Sequence, residues 1–132
     1  MSAGLVAGVA MLAVGCFAAE PGSAPPASIA GMRLVYRFDS GRTYRADYAD
    51  ETVHFQLLEP PQPDPPSETL AYTARTLRDG LFLVVWQDPA FHTTFVVDLA
   101  RREIHASALR EGVGSFFATA EILEAGDSVD GR

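Results

Sequence analysis

The sequence is poor in the residues that build covalent or metallic cross-links and in positive charge. It has 132 residues and one cysteine, Cys16, which excludes an intrachain disulfide and a metal site built from several cysteines. The ten basic residues, all arginine, are outnumbered by 17 acidic ones, and the formal net charge is −7. Because no excess of cations is available to neutralise phosphates, we expect no nucleic-acid partner.

Motifs for catalysis and metal binding are also absent. The three histidines, His54, His92 and His105, lie far apart in the sequence and lack the spacing of a zinc site. No serine lies in a Gly-x-Ser-x-Gly motif, and the only cysteine is near the N-terminus. Asp79 and Asp88 occupy turn positions, where Asp is favoured for local hydrogen bonding. We therefore predict no catalytic residue, no metal and no cofactor.

The N-terminal segment is typical of export. Residues 5–19 are apolar or small, and this run is too short for a comfortable membrane-spanning helix. The letters LAVGC at residues 12–16 resemble a bacterial lipoprotein signal, which implies that Cys16 is lipidated and anchors the mature chain to a membrane. Residues 1–15 lack the usual positive charge, so an ordinary signal cut near Ala18 or Ala19 is the alternative. Either route predicts a location in the bacterial cell envelope, on the periplasmic side.

The remaining chain divides by composition. Residues 20–31 are rich in Pro, Ala, Ser and Gly and predict a disordered linker. Residues 32–125 carry short alternating patterns and predict the folded domain. Residues 126–132 are polar and predict a disordered tail.

The folded domain has the pattern of consecutive antiparallel strands. Apolar and polar residues alternate with period two, and most links have hairpin length. The predicted strands are residues 33–38, 42–48, 52–58, 69–77, 81–87, 92–98, 103–109 and 115–124. The last segment is also compatible with a short helix, but its alternation favours a strand. The pattern predicts an all-β, antiparallel up-and-down barrel of about eight strands rather than a sandwich, which usually needs longer crossings.

The hairpin at residues 78–98 is the centre of this prediction. Its first strand has no polar residue from Leu81 to Trp86, so both faces need cover. On the other strands, the alternate positions that carry apolar and aromatic residues define the inward face. The corresponding positions of this strand predict that Phe82, Val84 and Trp86 face the interior of the barrel. The alternate positions of this strand then face outward.

Aromatic side chains share one face of the first five predicted strands. Rings that carry hydroxyl or N–H groups supply the apolar area and the orienting hydrogen bonds of a small-molecule pocket. The candidate ligand-binding residues are Tyr36, Phe38, Tyr44, Tyr48, Phe55, Tyr72, Phe82 and Trp86. The alternative is that these rings simply fill a small barrel as its core.

Two stretches carry a family resemblance. LVYRFDSG at residues 34–41, followed by Tyr44, resembles the first hairpin of the calycin-like families that include molybdenum cofactor biosynthesis protein F-like domains and phenolic acid decarboxylases. DGLFLVVWQDP at residues 79–89 resembles their central hairpin. The resemblance implies a lipocalin-like barrel with an internal small-molecule site. Gln56 stands where the decarboxylases have an essential arginine. The resemblance therefore supports the barrel fold more strongly than it supports decarboxylase activity.

These observations lead to one functional hypothesis and two alternatives. The leading hypothesis is an exported, lipid-anchored barrel that binds a small aromatic or apolar molecule in its lumen, with no sequence signal for its oligomeric state. The first alternative is a decarboxylase-like lyase that uses the same cavity. The second is a structural envelope lipoprotein without a ligand.

Overall fold

The computed structural model describes residues 25–128, which form a closed β-barrel. Its strands are β1 (Met32–Phe38), β2 (Thr43–Tyr48), β3 (Thr52–Glu59), β4 (Ser67–Arg78), β5 (Leu81–Gln87), β6 (Phe91–Asp98), β7 (Glu103–Arg110) and β8 (Gly114–Asp127). Each strand pairs antiparallel with the next, and β8 pairs back with β1. The predicted all-β, up-and-down barrel of about eight strands is therefore confirmed. No helix long and apolar enough to cross a membrane occurs between residues 25 and 128.

The alternation in sequence sets which side chains face the interior. On β5, Phe82 and Val84 are fully buried and Trp86 is 7 % exposed. The alternate residues Leu81, Leu83 and Val85 are half-buried, and Gln87 is exposed. The predicted inward face of this strand is therefore correct. The half-buried outer residues of β5 are shielded by neighbours across the ladders, such as Val96 opposite Leu83.

The two ends of the barrel differ, and we name them separately. The links at one end, which we call the base, are residues 49–51, 79–80 and 99–102. The links at the other end, which we call the mouth, are residues 39–42, 60–66, 88–90 and 111–113.

Residues 25–31 close the base. Ile29 is 2 % exposed and belongs to the hydrophobic core. The Gly80 N–H donates to the Pro26 carbonyl at 2.9 Å. Gly80 has a φ of +83°, and a Cβ there would lie 3.2 Å from Cβ of Pro25, so this close crossing needs glycine. The segment is anchored both by an apolar side chain and by backbone hydrogen bonds.

This closure differs from the linker predicted at residues 20–31. Composition favours disorder there, but the buried side chain of Ile29 provides enough apolar contact to hold residues 25–31 against the base. Residues 20–24 lie outside the described part of the chain, as do the predicted targeting segment 1–19 and the candidate lipidation site Cys16.

An ion-paired cluster on the outer surface ties the base together. Asp47 accepts a hydrogen bond from Arg33 Nε at 2.6 Å and one from Ser128 Oγ at 3.0 Å. Arg45 Nε lies 3.6 Å from the same carboxylate. Burial by itself raises the pKa of Asp47, but the hydrogen bonds and the two guanidinium groups outweigh it, so the pKa is lowered overall. The cluster links β1, β2 and the end of the described chain.

β8 is longer than β7 and β1, its two neighbours. Its first part pairs with β7 and its second part with β1. It pairs with β7 as far as Glu121 and with β1 from Ala120 to Asp127, two residues beyond the predicted end of the barrel domain. Arg102, at a φ of 59°, donates to the carbonyls of Ile122 at 3.2 Å and Leu123 at 3.1 Å. These bonds support the irregular step in the β1–β8 ladder at this point.

The described segment carries its own core. The eight strands, the closing β1–β8 ladder and a hydrophobic cluster that extends from Ile29 to Ile122 all lie within residues 25–128. Because the cooperative contacts are contained in this segment, it has the features of an independently folding domain.

Candidate functional site

The predicted aromatic residues converge on the interior. Each of the eight predicted positions is buried in the core or packs against it as a half-buried ring. The fully covered members are Tyr36, Tyr48, Tyr72, Phe82 and Trp86, and the half-buried ones are Phe38, Tyr44 and Phe55. Strands β1 to β5 position them because inward residues alternate along each strand.

Five rings form a closed circuit of contacts across the lumen. The centroid distances in order are Tyr36–Tyr44 6.0 Å, Tyr44–Phe55 6.3 Å, Phe55–Trp86 4.9 Å, Trp86–Phe95 4.9 Å and Phe95–Tyr36 5.9 Å. We call these residues the ring circuit. All of these distances lie in the range of favourable aromatic pairs. The rings therefore pack against one another across the middle of the barrel.

Phe95 completes the ring circuit and is absent from the predicted set. It lies on β6, opposite Val84 of β5, and is 4 % exposed. Phe95 lies two positions before the buried Val97, so the two residues share one face of the strand. This spacing is the signal that identifies Phe95 in the sequence. Phe95 lies on the sixth strand, outside the aromatic face predicted on the first five.

Phe38 and Phe82 lie outside the ring circuit in different ways. Phe38 packs edge-on against Tyr36 at 5.7 Å and Tyr44 at 6.0 Å, on the mouth side. Phe82 is fully buried near the base, opposite Val97. The structure therefore places Phe38 at the mouth end of the aromatic interior and Phe82 in the packed core near the base.

Two polar atoms of the lumen have no hydrogen-bond partner among the described residues. They are the Tyr48 hydroxyl and the Trp86 indole nitrogen, both buried. Burial raises the pKa of Tyr48, and the nearby Trp86 N–H lowers it in part. The two groups are thus close, although they do not meet hydrogen-bond geometry. A buried polar group left unsatisfied costs about 1–3 kcal/mol, so this pair favours an additional polar partner.

The other buried tyrosines differ in their partners. Tyr72 packs on Tyr48 with a centroid distance of 5.0 Å, and its hydroxyl donates to the Ala49 carbonyl at the base. Burial raises the pKa of Tyr36, and the nearby hydroxyls of Tyr48 and Tyr44 raise it further. Burial therefore favours the neutral phenols of Tyr36 and Tyr48, whereas the Tyr72 hydroxyl is already bonded to Ala49.

Charged and metal-ligating residues lie outside the lumen. Within residues 25–128, no charged side chain is buried, and Thr43 is the one buried polar residue that is not aromatic. Gln56, which stands where an essential arginine is expected, accepts a hydrogen bond from Arg45 Nη2 at 2.9 Å, on the face opposite the lumen. Within residues 25–128, no group of three potential metal ligands is present.

The comparisons with known proteins agree with this geometry. The profile of the MoaF-like family matches residues 30–120, which is the barrel from its base to the inner part of β8. The chain belongs to the MoaF-like family. The family resemblance read from the two hairpins is thereby confirmed for its MoaF-like branch.

Solved structures extend the comparison to fold alone. A Burkholderia vietnamiensis protein, described in its crystal structure as a candidate beta-lactamase, is similar with a TM-score of 0.62 and 14% sequence identity. The match covers 80% of this chain and 100% of that chain. No curated protein matches the sequence. The MoaF-like barrel is therefore shared with a protein of very different sequence.

Proposed function

We propose that this MoaF-like barrel binds a small aromatic or apolar molecule that carries one polar group, with its ring in the lumen and its polar atom between Tyr48 and Trp86. The observation that carries the proposal is the pair of buried polar atoms without a partner, inside a lumen lined by rings. A ligand hydroxyl or carbonyl there satisfies groups that the chain itself leaves unpaired.

The mouth offers the route of entry. Phe38, Tyr44 and Phe55 are half-buried, whereas residues 25–31 cover the base. Half-buried rings lose less contact area when they turn aside than fully buried ones do. An apolar molecule then replaces ring–ring contacts by ring–ligand contacts and reaches Trp86.

The experiment uses Trp86, the sole tryptophan of the sequence, as a reporter inside the site. Residues 20–132 are titrated with naphthol and with naphthalene while Trp86 emission is recorded. We expect both to change the emission, and naphthol to bind about tenfold more tightly because it gains a hydrogen bond. No change with either probe contradicts the proposal.

A matched pair of variants locates the polar contact. Tyr48→Phe removes an unpartnered hydroxyl, and Tyr72→Phe removes one that already donates to Ala49. We expect Tyr48→Phe to abolish the preference for naphthol over naphthalene and Tyr72→Phe to keep it. Equal effects of the two variants show that the preference does not come from the Tyr48 site.

We also propose that the chain is exported and anchored through Cys16. The support is the apolar segment at residues 5–19 and the position of the single cysteine. Fractionation of cells that express the full chain tests this: wild type is expected in the membrane fraction, and Cys16→Ala in the soluble envelope fraction. Recovery of both in the same fraction contradicts the anchor.

The lyase alternative has weaker support. A decarboxylase of the resembling kind needs a cation beside the substrate carboxylate, and no charged side chain is buried within residues 25–128. We therefore expect p-coumaric acid to keep its ultraviolet absorbance when it is incubated with the protein. A ligand-free structural lipoprotein remains the alternative if neither naphthol nor naphthalene binds.

A further inference from the structure

Two strands extend beyond one neighbour and leave part of an edge unpaired. β4 pairs with β3 only over Ser67–Ala71, so its residues 73–78 have no strand on that side within the described chain. β8 pairs with β1 only from Ala120 onward, and no strand of residues 25–128 pairs with Gly114–Ala118 on that side. We call this second segment the β8 edge.

The backbone of the β8 edge presents free hydrogen-bonding groups. The Thr119 carbonyl faces the β1 side, where it accepts from Asp39 N at 3.2 Å. Because backbone direction alternates along a strand, the N–H and C=O groups of Ser115 and Phe117 face the same side. These groups form a short template for another strand.

The two overhanging strands differ in how they are protected. The free part of β4 carries Arg75 and Arg78, and Thr76 Oγ1 donates to the Ala27 carbonyl at 2.7 Å. Charged side chains on an edge discourage pairing with another chain. Residues 112–120 contain neither a charged residue nor a proline, so the β8 edge lacks this protection.

The β7–β8 hairpin also carries four of the five large apolar side chains that are exposed within residues 25–128. Phe117 is 84 % exposed, Val113 70 %, Phe116 50 % and Leu109 46 %. Leu109 and Phe117 lie diagonally across the outer face, since Leu109 pairs with Ser115. Phe116 lies on the inward face at the mouth, opposite Ala108, and Phe117 lies on the outer face. Exposed apolar side chains therefore flank the free backbone groups on both faces of the strand, an arrangement typical of a protein interface.

We propose that the occupant of the β8 edge is a second copy of this chain, paired antiparallel to form a two-fold dimer. A two-fold axis places the uncharged residues 112–120 against themselves, so the contact avoids the like charges that a net charge of −7 puts elsewhere on the surface. A strand from the second copy also satisfies the free N–H and C=O groups of Ser115 and Phe117.

A membrane is the less suitable occupant of this surface. A lipid bilayer offers no partner for free backbone groups. The chain enters the barrel at the base, where Pro26 contacts Gly80, and the β7–β8 hairpin lies at the mouth. The anchor proposed above precedes residue 25 and so connects to the base, the end of the barrel opposite this hairpin.

The size of the patch sets the expected strength. Two phenylalanines, a valine and a leucine with these exposures offer roughly 400 Å² of apolar surface in each copy. An interface of about 800 Å² in total is below the roughly 1,000 Å² expected of a stable complex and is in the range of weak, transient association. We therefore expect a reversible dimer that forms at micromolar or higher concentration, independently of ligand binding.

The test is sedimentation velocity of residues 20–132 over a range from micromolar to near-millimolar concentration. We expect the wild-type chain to shift from monomer to dimer, and added salt to favour the dimer because it screens the repulsion between two acidic copies. Phe117→Lys places charge on the patch and is expected to remain monomeric throughout. Ser115→Pro removes an edge donor without removing apolar area, and we expect it to weaken association about tenfold.

Leu77→Lys is the matched control, because Leu77 is 50 % exposed on the free part of β4. It is expected to dimerise like wild type, and near-ultraviolet circular dichroism verifies that each variant is folded. A wild-type chain that stays monomeric over the whole range overturns the proposal. So does a dimer that Phe117→Lys and Ser115→Pro leave unchanged, or a monomer that instead binds phosphatidylglycerol vesicles through Phe117.

Discussion

The base and the mouth of this barrel are built from similar strands but have opposite properties. At the base, residues 25–31 cross the opening, Ile29 enters the core, and Asp47 links β1, β2 and Ser128. At the mouth, Phe38, Tyr44 and Phe55 are only half-buried. The same fold thus has one end that stabilises and one end that is free to interact.

This difference follows from what each end contacts. At the base, residues 25–31 lie outside the sheet and bury additional apolar surface against it. The strands by themselves do not provide this burial. The mouth has aromatic rings that contact mainly one another, with centroids 6.0 Å apart in the Phe38–Tyr44 pair. Stability is therefore expected to depend on the base and ligand binding on the mouth.

The largest expected effect compares two phenylalanines. Phe82→Ala, near the base, opens a cavity at a fully buried site and is expected to lower the free energy of unfolding by about 3–5 kcal/mol. Phe38→Ala, at the mouth, removes a half-buried ring and is expected to lower it by about 1–2 kcal/mol. Urea unfolding of both variants measures the difference. Equal losses contradict the division between the two ends.

The closing segment gives the second comparison. Ile29→Ala is expected to destabilise the barrel by about 2–4 kcal/mol, because Ile29 is 2 % exposed. Val113→Ala, on the 70 % exposed tip of the β7–β8 hairpin, is expected to change stability by less than about 0.5 kcal/mol. Thermal unfolding followed by circular dichroism distinguishes them. A tolerated Ile29→Ala shows that the base closes without this side chain.

The pH dependence of stability tests the ion-paired cluster. The pKa of Asp47 is lower in the folded chain than its ordinary value of 3.8. The ionised carboxylate of Asp47 therefore stabilises the folded chain at pH values above 3.8. This stabilisation is lost as the pH falls through the pKa that Asp47 has in the folded chain. Asp47→Asn is expected to cost about 1–2 kcal/mol near neutral pH and to flatten the loss of stability below about pH 4.

Asp64→Asn is the control for this measurement, since Asp64 is an exposed residue of the 60–66 link at the mouth. We expect it to leave both the stability and its acid dependence unchanged. If Asp47→Asn and Asp64→Asn have the same pH profile, the Asp47 cluster does not stabilise the base.

The smallest expected effect compares two buried hydroxyls. Tyr72→Phe removes the donor to Ala49 and is expected to cost about 1 kcal/mol. Tyr48→Phe removes a hydroxyl without a partner and is expected to be neutral or slightly stabilising in the ligand-free protein. Urea unfolding without ligand measures both. A clear loss from Tyr48→Phe shows that its hydroxyl has a partner in solution, such as a bound water.

Local patterns were sufficient to predict the strands and the direction of most side chains. Alternation on β5 identified Phe82, Val84 and Trp86 as inward residues because period two is a property of the strand itself. Composition was less informative near the ends of the domain. Ile29 lies in a segment rich in Pro, Ala and Ser, and only its contact with the core shows that residues 25–31 are packed.

The candidate site combines predictable and unpredictable parts. The eight aromatic residues share a parity that is visible in the sequence, and the structure confirms that they face the interior. The unpartnered pair of Tyr48 and Trp86 was not predicted, because the two residues are distant in the chain and their proximity depends on the tilt of β2 and β5. The role of Phe95 became clear only from its contacts with Tyr36 and Trp86.

The antiparallel barrel and its aromatic interior could be predicted from the sequence alone, since alternation, turn residues and the MoaF-like pattern are local properties of each strand. The closed base, the two buried polar atoms without a partner in residues 25–128, and the extension of the β8 edge past β1 are visible only in the fold. These features depend on the stagger between strands that are far apart in the chain. No local preference sets that stagger, because it results from closing the whole sheet.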